Sequence, residues 1–92
     1  MRYAKGDRVR VVPNWNWEQA CTGQIAEPPA GVVELTEEDG DAWNGCRRTV
    51  QSLKGPIEFY WVVFDQPQRD GDGDGPYLAG EVEEEYLQLT ES

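Results

Sequence analysis

The sequence predicts an all-β protein: a small barrel of five to six short antiparallel strands, built as one domain over 1–92. Three observations predict it. A chain of 92 residues has room for one modest core. Ten Gly and six Pro divide it into short segments, which suits strands and turns better than long helices. Four Trp, four Tyr and two Phe supply more apolar area than a solvated coil needs. They outweigh the disorder signature of 28% charged residues and a net charge of −10.

The elements follow in order. Arg8-Val9-Arg10-Val11-Val12 alternates charged and β-branched residues, so it reads as a strand with Val9 and Val11 inward and Pro13 as its stop. Asn14-Trp15-Asn16-Trp17 is an aromatic turn. Thr22–Ala26 is a second strand, closed by Pro28-Pro29, and Gly31–Thr36 a third. Glu37–Asp41 is an acidic loop. In Ala42–Lys54 the spacing of Trp43, Cys46 and Val50 suits a helix, while Gly45 and Thr49-Val50 suit a strand and a turn, so both stay open. After Gly55-Pro56, the run Ile57–Phe64 is β-branched and aromatic almost throughout and is the strongest strand. Asp65-Gln66-Pro67 should stop it. An Asp-Gly loop runs from Asp70 to Pro76, order resumes over Glu81–Glu85, and Tyr86–Leu89 is the last strand with Leu87 and Leu89 on one face.

Charge and composition exclude several functions. Eight Lys+Arg against 18 Asp+Glu disfavour nucleic acid, whose binding runs on counterion release by basic side chains. With no His, the usual general base and the commonest zinc ligand are missing. Cys21 and Cys46 have no imidazole to activate them and are too few for an all-cysteine zinc site. The protein is therefore expected not to be an enzyme. No apolar run approaches a membrane span, and Met1–Asp7 has no apolar segment of the kind a secretion signal carries. The expected location is cytoplasmic, with both cysteines reduced. The charge is segregated: Arg2, Lys5, Arg8 and Arg10 fall in the first ten positions, and from Asp70 onward there are eight acids and no Lys or Arg.

Lys5–Val11, Thr22–Ile25, Tyr60–Asp65 and Glu85–Leu89 together resemble the strand pattern of SH3-like barrels. That group includes KOW- and Tudor-type modules and the small barrel of the nitrile hydratase beta subunit. The resemblance covers about half the residues, the 31–56 stretch departs from it, and it implies a fold without an activity. No residue maps to the nitrile hydratase metal site, which belongs to the partner subunit. Only Arg8 and Arg10 correspond to basic positions of KOW modules.

One motif carries chemistry. Asp70, Asp72, Asp74, Gly75 and Glu81 satisfy the Asp-x-Asp-x-Asp-Gly-x5-Glu spacing of an EF-hand loop, with the Pro76 carbonyl as a further oxygen ligand. Calcium takes six to eight such oxygens. The flanks are strands, and there is no second copy, so a partial site of Asp70, Asp72 and Asp74 completed by water is the simpler version. A solvated Asp-Gly loop is the alternative. Otherwise no cofactor is required.

Trp15, Trp17, Trp43, Phe59 and Trp61 are the candidates for a partner-binding aromatic surface. Alternation puts Tyr60, Val62 and Phe64 on one side of their strand and Phe59, Trp61 and Val63 on the other. Either the second side meets a partner, a homodimer included, or the curvature of the barrel and the 31–56 segment cover it. The function expected is a non-enzymatic, acidic SH3-like interaction module that takes a protein partner of basic character. The alternative is a calcium-binding domain using the Asp70–Glu81 loop.

Overall fold

The computed structural model describes residues 3–33 and 43–90. Among them are seven strands: β1 (Arg8–Val11), β2 (Cys21–Ile25), β3 (Trp43–Asn44), β4 (Arg47–Ser52), β5 (Gly55–Gln68), β6 (Tyr77–Glu83) and β7 (Leu87–Leu89). A 3-10 turn, Glu84–Tyr86, joins β6 to β7. All the pairings are antiparallel, so the all-β class is as the sequence predicts.

Strand β5 organises the sheet. One edge pairs first with β4, from Gly55 to Tyr60, and then with β2, from Val62 to Phe64. The other edge pairs with β6. β1 lies between β2 and β7, which returns the chain's end to its beginning. The path β7–β1–β2–β5–β6 thus curls into a half-barrel, and β3 and β4 form a hairpin that widens it beside the first half of β5.

The inward set follows the alternation. Val9, Val11, Ile25, Tyr60, Val62 and Val82 are essentially sealed from water, and Tyr3, Trp17, Cys46, Phe64 and Leu87 complete the core. Burial of such side chains stabilises by roughly 1.5–3 kcal/mol each. Tyr3, which the sequence pattern does not single out, packs edge-on against Tyr60 at 5.2 Å and donates its hydroxyl proton to the Leu87 carbonyl at 2.8 Å.

Several expectations need correction. The described residues alone hold seven strands, because the segment with open alternatives folds as β3, a turn at Gly45-Cys46, and β4. Gly45 takes φ 66°, a left-handed value that a helix would not allow. The strand expected over Gly31–Thr36 is instead helical at 30–33, where the Val32 and Val33 amides both donate to the Pro29 carbonyl (3.0 and 3.2 Å); its remainder lies outside the described residues. The acidic loop Glu37–Asp41 lies outside them too. β5 runs past both expected stops. Pro56 sits beside the hairpin turn, and Pro67 falls in the register irregularity between Val63 and Gln68, where no ladder amide is needed. Tyr86 belongs to the 3-10 turn, not the last strand. Leu89, on the same side as Leu87, remains 60% exposed. No helix among the described residues is long and apolar enough to cross a membrane.

Candidate functional site

The outer side of β5 collects the aromatics. Register places Arg48 of β4 opposite Phe59, with Trp43 of β3 opposite Arg48. On the other edge Glu83 faces Phe59 and Glu81 faces Trp61. The Trp43 and Trp61 rings meet edge to face at 6.0 Å. The Arg48 guanidinium carbon lies 5.8 Å from the Trp43 ring centre and 5.5 Å from that of Phe59, within cation–π reach of both. Its Nη2 donates to both Glu81 oxygens, at 3.0 and 2.9 Å. Trp43, Phe59 and Trp61 therefore share one half-buried face, tied across by an Arg–Glu pair. The indole Nε1 of Trp43 is buried there with no hydrogen-bond partner among the described residues.

Trp15 and Trp17 part company. Trp15 is 67% exposed and donates from Nε1 to Glu83 Oε1 at 3.1 Å, so it stands at the rim of the same face. Trp17 is 5% exposed and belongs to the core. Its ring packs against Phe64 at 4.8 Å and Tyr77 at 5.9 Å, and its Nε1 donates to the Glu81 carbonyl at 2.9 Å. The local cause is Asn14, whose Oδ1 accepts from the amides of Asn16 and Trp17 at 2.9 and 3.1 Å and turns the chain inward. Trp17 thus lies in the core and, unlike Trp15, presents no exposed ring.

Beside this face runs a groove of about 460 Å³, lined by Lys54, Pro56, Ile57, Glu58, Glu83, Glu84 and Glu85. It lies between the β4–β5 hairpin and the 3-10 turn and meets the aromatic face at Ile57 and Glu83. Glu58 is paired with Arg47 at 3.0 Å. The Glu83 carboxyl is pushed above its ordinary range by partial burial and by the neighbouring Glu85, against the lowering effect of the Trp15 hydrogen bond. Nothing in the spacing of Glu83, Glu84 and Glu85 along the sequence marks the groove.

The Asp-Gly loop brings one carboxylate oxygen each of Asp70, Asp72 and Asp74 within 4.8 Å of one another. Asp70 Oδ1 also accepts from the amides of Asp72 (3.0 Å) and Asp74 (2.9 Å), which folds the loop on itself. The full EF-hand set does not assemble. β6 begins at Tyr77, within the motif, and carries Glu81 onto the sheet, where both its oxygens are held by Arg48. Pro76 follows a cis peptide bond just before β6. What the fold brings together is the three-aspartate set alone.

A third cluster sits on the outer side of β1 and β2. Arg8 Nη1 donates to Asp65 Oδ1 at 2.9 Å, Arg8 Nη2 donates to Asp65 Oδ2, and Thr22 Oγ1 donates to the same Oδ2 at 2.6 Å. The bonds from Arg8 and then Thr22 lower the Asp65 carboxyl from 3.8 to about 2. A carboxylate with a depressed value in the folded state stabilises above its ordinary range, and that share is lost as pH falls through the folded value. Asp65→Asn should therefore be less stable than the parent at neutral pH, and the gap should close between about pH 4 and 2. Urea midpoints of both chains against pH check this; a gap that stays constant into acid contradicts it.

Nearby, burial and the Asp65 charge push the Cys21 thiol up to about 11, so it is a thiol, not a thiolate, at neutral pH. Cys21 and Cys46 are both free. No protein-family model, curated protein or solved structure matches the chain.

Proposed function

We propose that this chain is a non-enzymatic interaction module with an SH3-like barrel, acting in the cytoplasm, and that it takes a protein segment combining apolar and basic side chains. The observation that carries the reading is the juxtaposition of the Trp43–Phe59–Trp61 face with carboxylates at its rim. Apolar rings give area to bury, and carboxylates select positive charge. The path of the sheet supports the barrel part: consecutive pairing of β1, β2, β5 and β6, then a short turn into β7, which returns beside β1. The high value of the Cys21 thiol and the absence of His support the non-enzymatic part.

A basic partner should associate faster with a chain of net charge −10 at low salt. Between about 0.01 M and 1 M salt the screening length falls from about 30 Å to about 3 Å. Stopped-flow association of an Arg/Leu peptide, followed by Trp fluorescence, should slow steeply across that range. A rate that ignores salt removes the electrostatic half of the reading.

A second reading is favoured by the approach of Asp70, Asp72 and Asp74. These three, with water, would hold calcium as hard oxygen ligands. Binding to the folded state alone raises its stability. Millimolar calcium should then raise the thermal midpoint of the parent and leave that of Asp72→Asn/Asp74→Asn unchanged. No rise in the parent ends this reading.

A further inference from the structure

We infer that Asn44 is a site of spontaneous covalent modification. Its side chain closes onto the Gly45 backbone as a cyclic imide, and hydrolysis of the ring leaves aspartate or isoaspartate at position 44. The isoaspartate form takes Trp43 off the aromatic face. The modification goes beyond the function proposed above and does not require it.

The reacting groups meet at the tip of the β3–β4 hairpin. Asn44-Gly45 is the one Asn-Gly step in the sequence, and both residues are exposed. Gly45 takes φ 66°, and nothing lies within 4 Å of the place a Cβ would occupy, so the nitrogen is unshielded. Among the described residues, neither the Asn44 carboxamide nor the Gly45 N–H has a hydrogen-bond partner. β3 is two residues long and pairs with β4, so few bonds hold Asn44 against rotation.

The other candidate steps are held back. Asn14 Nδ2 donates to the Val12 carbonyl at 2.8 Å, and its Oδ1 accepts two amides. Asn16 precedes Trp17, whose N–H is given to Asn14. The Asp-Gly steps present a carboxylate, a poorer electrophile than a carboxamide. Of their glycines, Gly71 and Gly73 donate to the Asn16 and Asp70 carbonyls at 2.8 and 3.0 Å.

The step balances with water as the co-reactant. The Gly45 nitrogen loses its proton and bonds to Asn44 Cγ, and the carboxamide nitrogen leaves as ammonia with that proton. Water then opens the ring. Attack at Cγ breaks the new bond and gives aspartate; attack at the Asn44 backbone carbonyl breaks the old peptide bond and gives isoaspartate. Both products add one negative charge opposite Arg47, which already holds Glu58. Isoaspartate also lengthens the main chain by one methylene between Trp43 and the turn. The Trp43–Arg48 pairing is then out of register, and the 6.0 Å contact with Trp61 is lost.

The test ages the full chain in mildly alkaline buffer beside Asn44→Gln and Asn44→Asp, with the parent in urea as the rate reference. Peptide maps by mass spectrometry follow each asparagine, and enzymatic carboxyl methylation detects isoaspartate. The folded parent should gain one mass unit at position 44 alone, at a rate within about tenfold of the unfolded chain. Isoaspartate should form, and Asn44→Gln should stay unchanged. Near-ultraviolet circular dichroism should lose the Trp43–Trp61 signal in the isoaspartate fraction and keep it in Asn44→Asp, which carries the charge without the longer chain. A folded parent that stays intact while the unfolded one converts fully overturns the site. Aspartate without isoaspartate overturns the ring, and an isoaspartate fraction with the parent's spectrum overturns the displacement of Trp43.

Discussion

Trp17→Ala should cost about 3–5 kcal/mol, the largest loss from any single truncation of the core. The indole is 5% exposed, meets Phe64 and Tyr77 edge-on, and gives its N–H to the Glu81 carbonyl at 2.9 Å. Alanine leaves a cavity and a lost donor together. A domain of this size has about 5–15 kcal/mol in total, and each kcal/mol is worth about 4–8 °C in Tm. The thermal midpoint by circular dichroism should therefore fall by at least about 12 °C. A fall of only a few degrees would mean that Trp17 is not a core residue. The opposing surface gives a companion test. A Cβ on Gly80 would lie 2.3 Å from Cζ2 and 2.7 Å from Cη2 of Trp17, so Gly80→Ala displaces the ring. That loss, about 1–3 kcal/mol, should largely vanish in a Trp17→Leu background, because the atoms that clash are no longer there.

Gly23→Ala is the second large effect, and its cause is backbone. A Cβ at this position would lie 2.5 Å from the Val63 carbonyl oxygen and 2.7 Å from Val62 Cγ1. The Gly23–Phe64 and Gln24–Val63 pairs form the seam between β2 and β5, which joins the β1–β2–β7 edge to the rest of the sheet. A carbonyl in that seam cannot rotate away as a side chain does. Replacing glycine stiffens the unfolded chain and by itself stabilises by about 0.4–1 kcal/mol. The clash should exceed that and give a net loss of about 1–3 kcal/mol. Urea unfolding should show a lower midpoint; an unchanged or higher midpoint would mean that the seam accommodates a methyl group.

Much of the fold is legible because its cause is local. Arg8–Val11 alternates cleanly and does form a strand with Val9 and Val11 sealed. The β-branched and aromatic run around Tyr60 could hardly be anything else, and its parity correctly puts Tyr60, Val62 and Phe64 inside. Prolines misled where position mattered more than identity. Pro56 and Pro67 read as stops but lie where no ladder donor is missed, whereas Pro29 starts a helical turn by offering its carbonyl to Val32 and Val33.

The site was legible as residue types and not as a place. Trp43, Phe59 and Trp61 were candidates, and the register of three strands brings them together. Trp15 and Trp17 are two residues apart with similar local surroundings. Only the Asn14 turn and the distant Gly80 send one outward and the other in. Glu81 fits a calcium loop by spacing, but its nearest cation, Arg48, arrives from across β5, and no short-range motif reports that. The groove depends in the same way on a hairpin and a 3-10 turn distant in sequence.

The central claim is that an aromatic face and an acidic rim bind one segment together. Calorimetric titration of the Arg/Leu peptide at several temperatures tests it most directly, since burial of apolar surface gives a negative heat-capacity change and charge steering alone does not. The result predicted is saturable binding of one peptide per chain, weaker at high salt, with a negative heat-capacity change at every salt concentration. Binding that disappears with salt and shows no heat-capacity change, or no saturable heat at all, would contradict it.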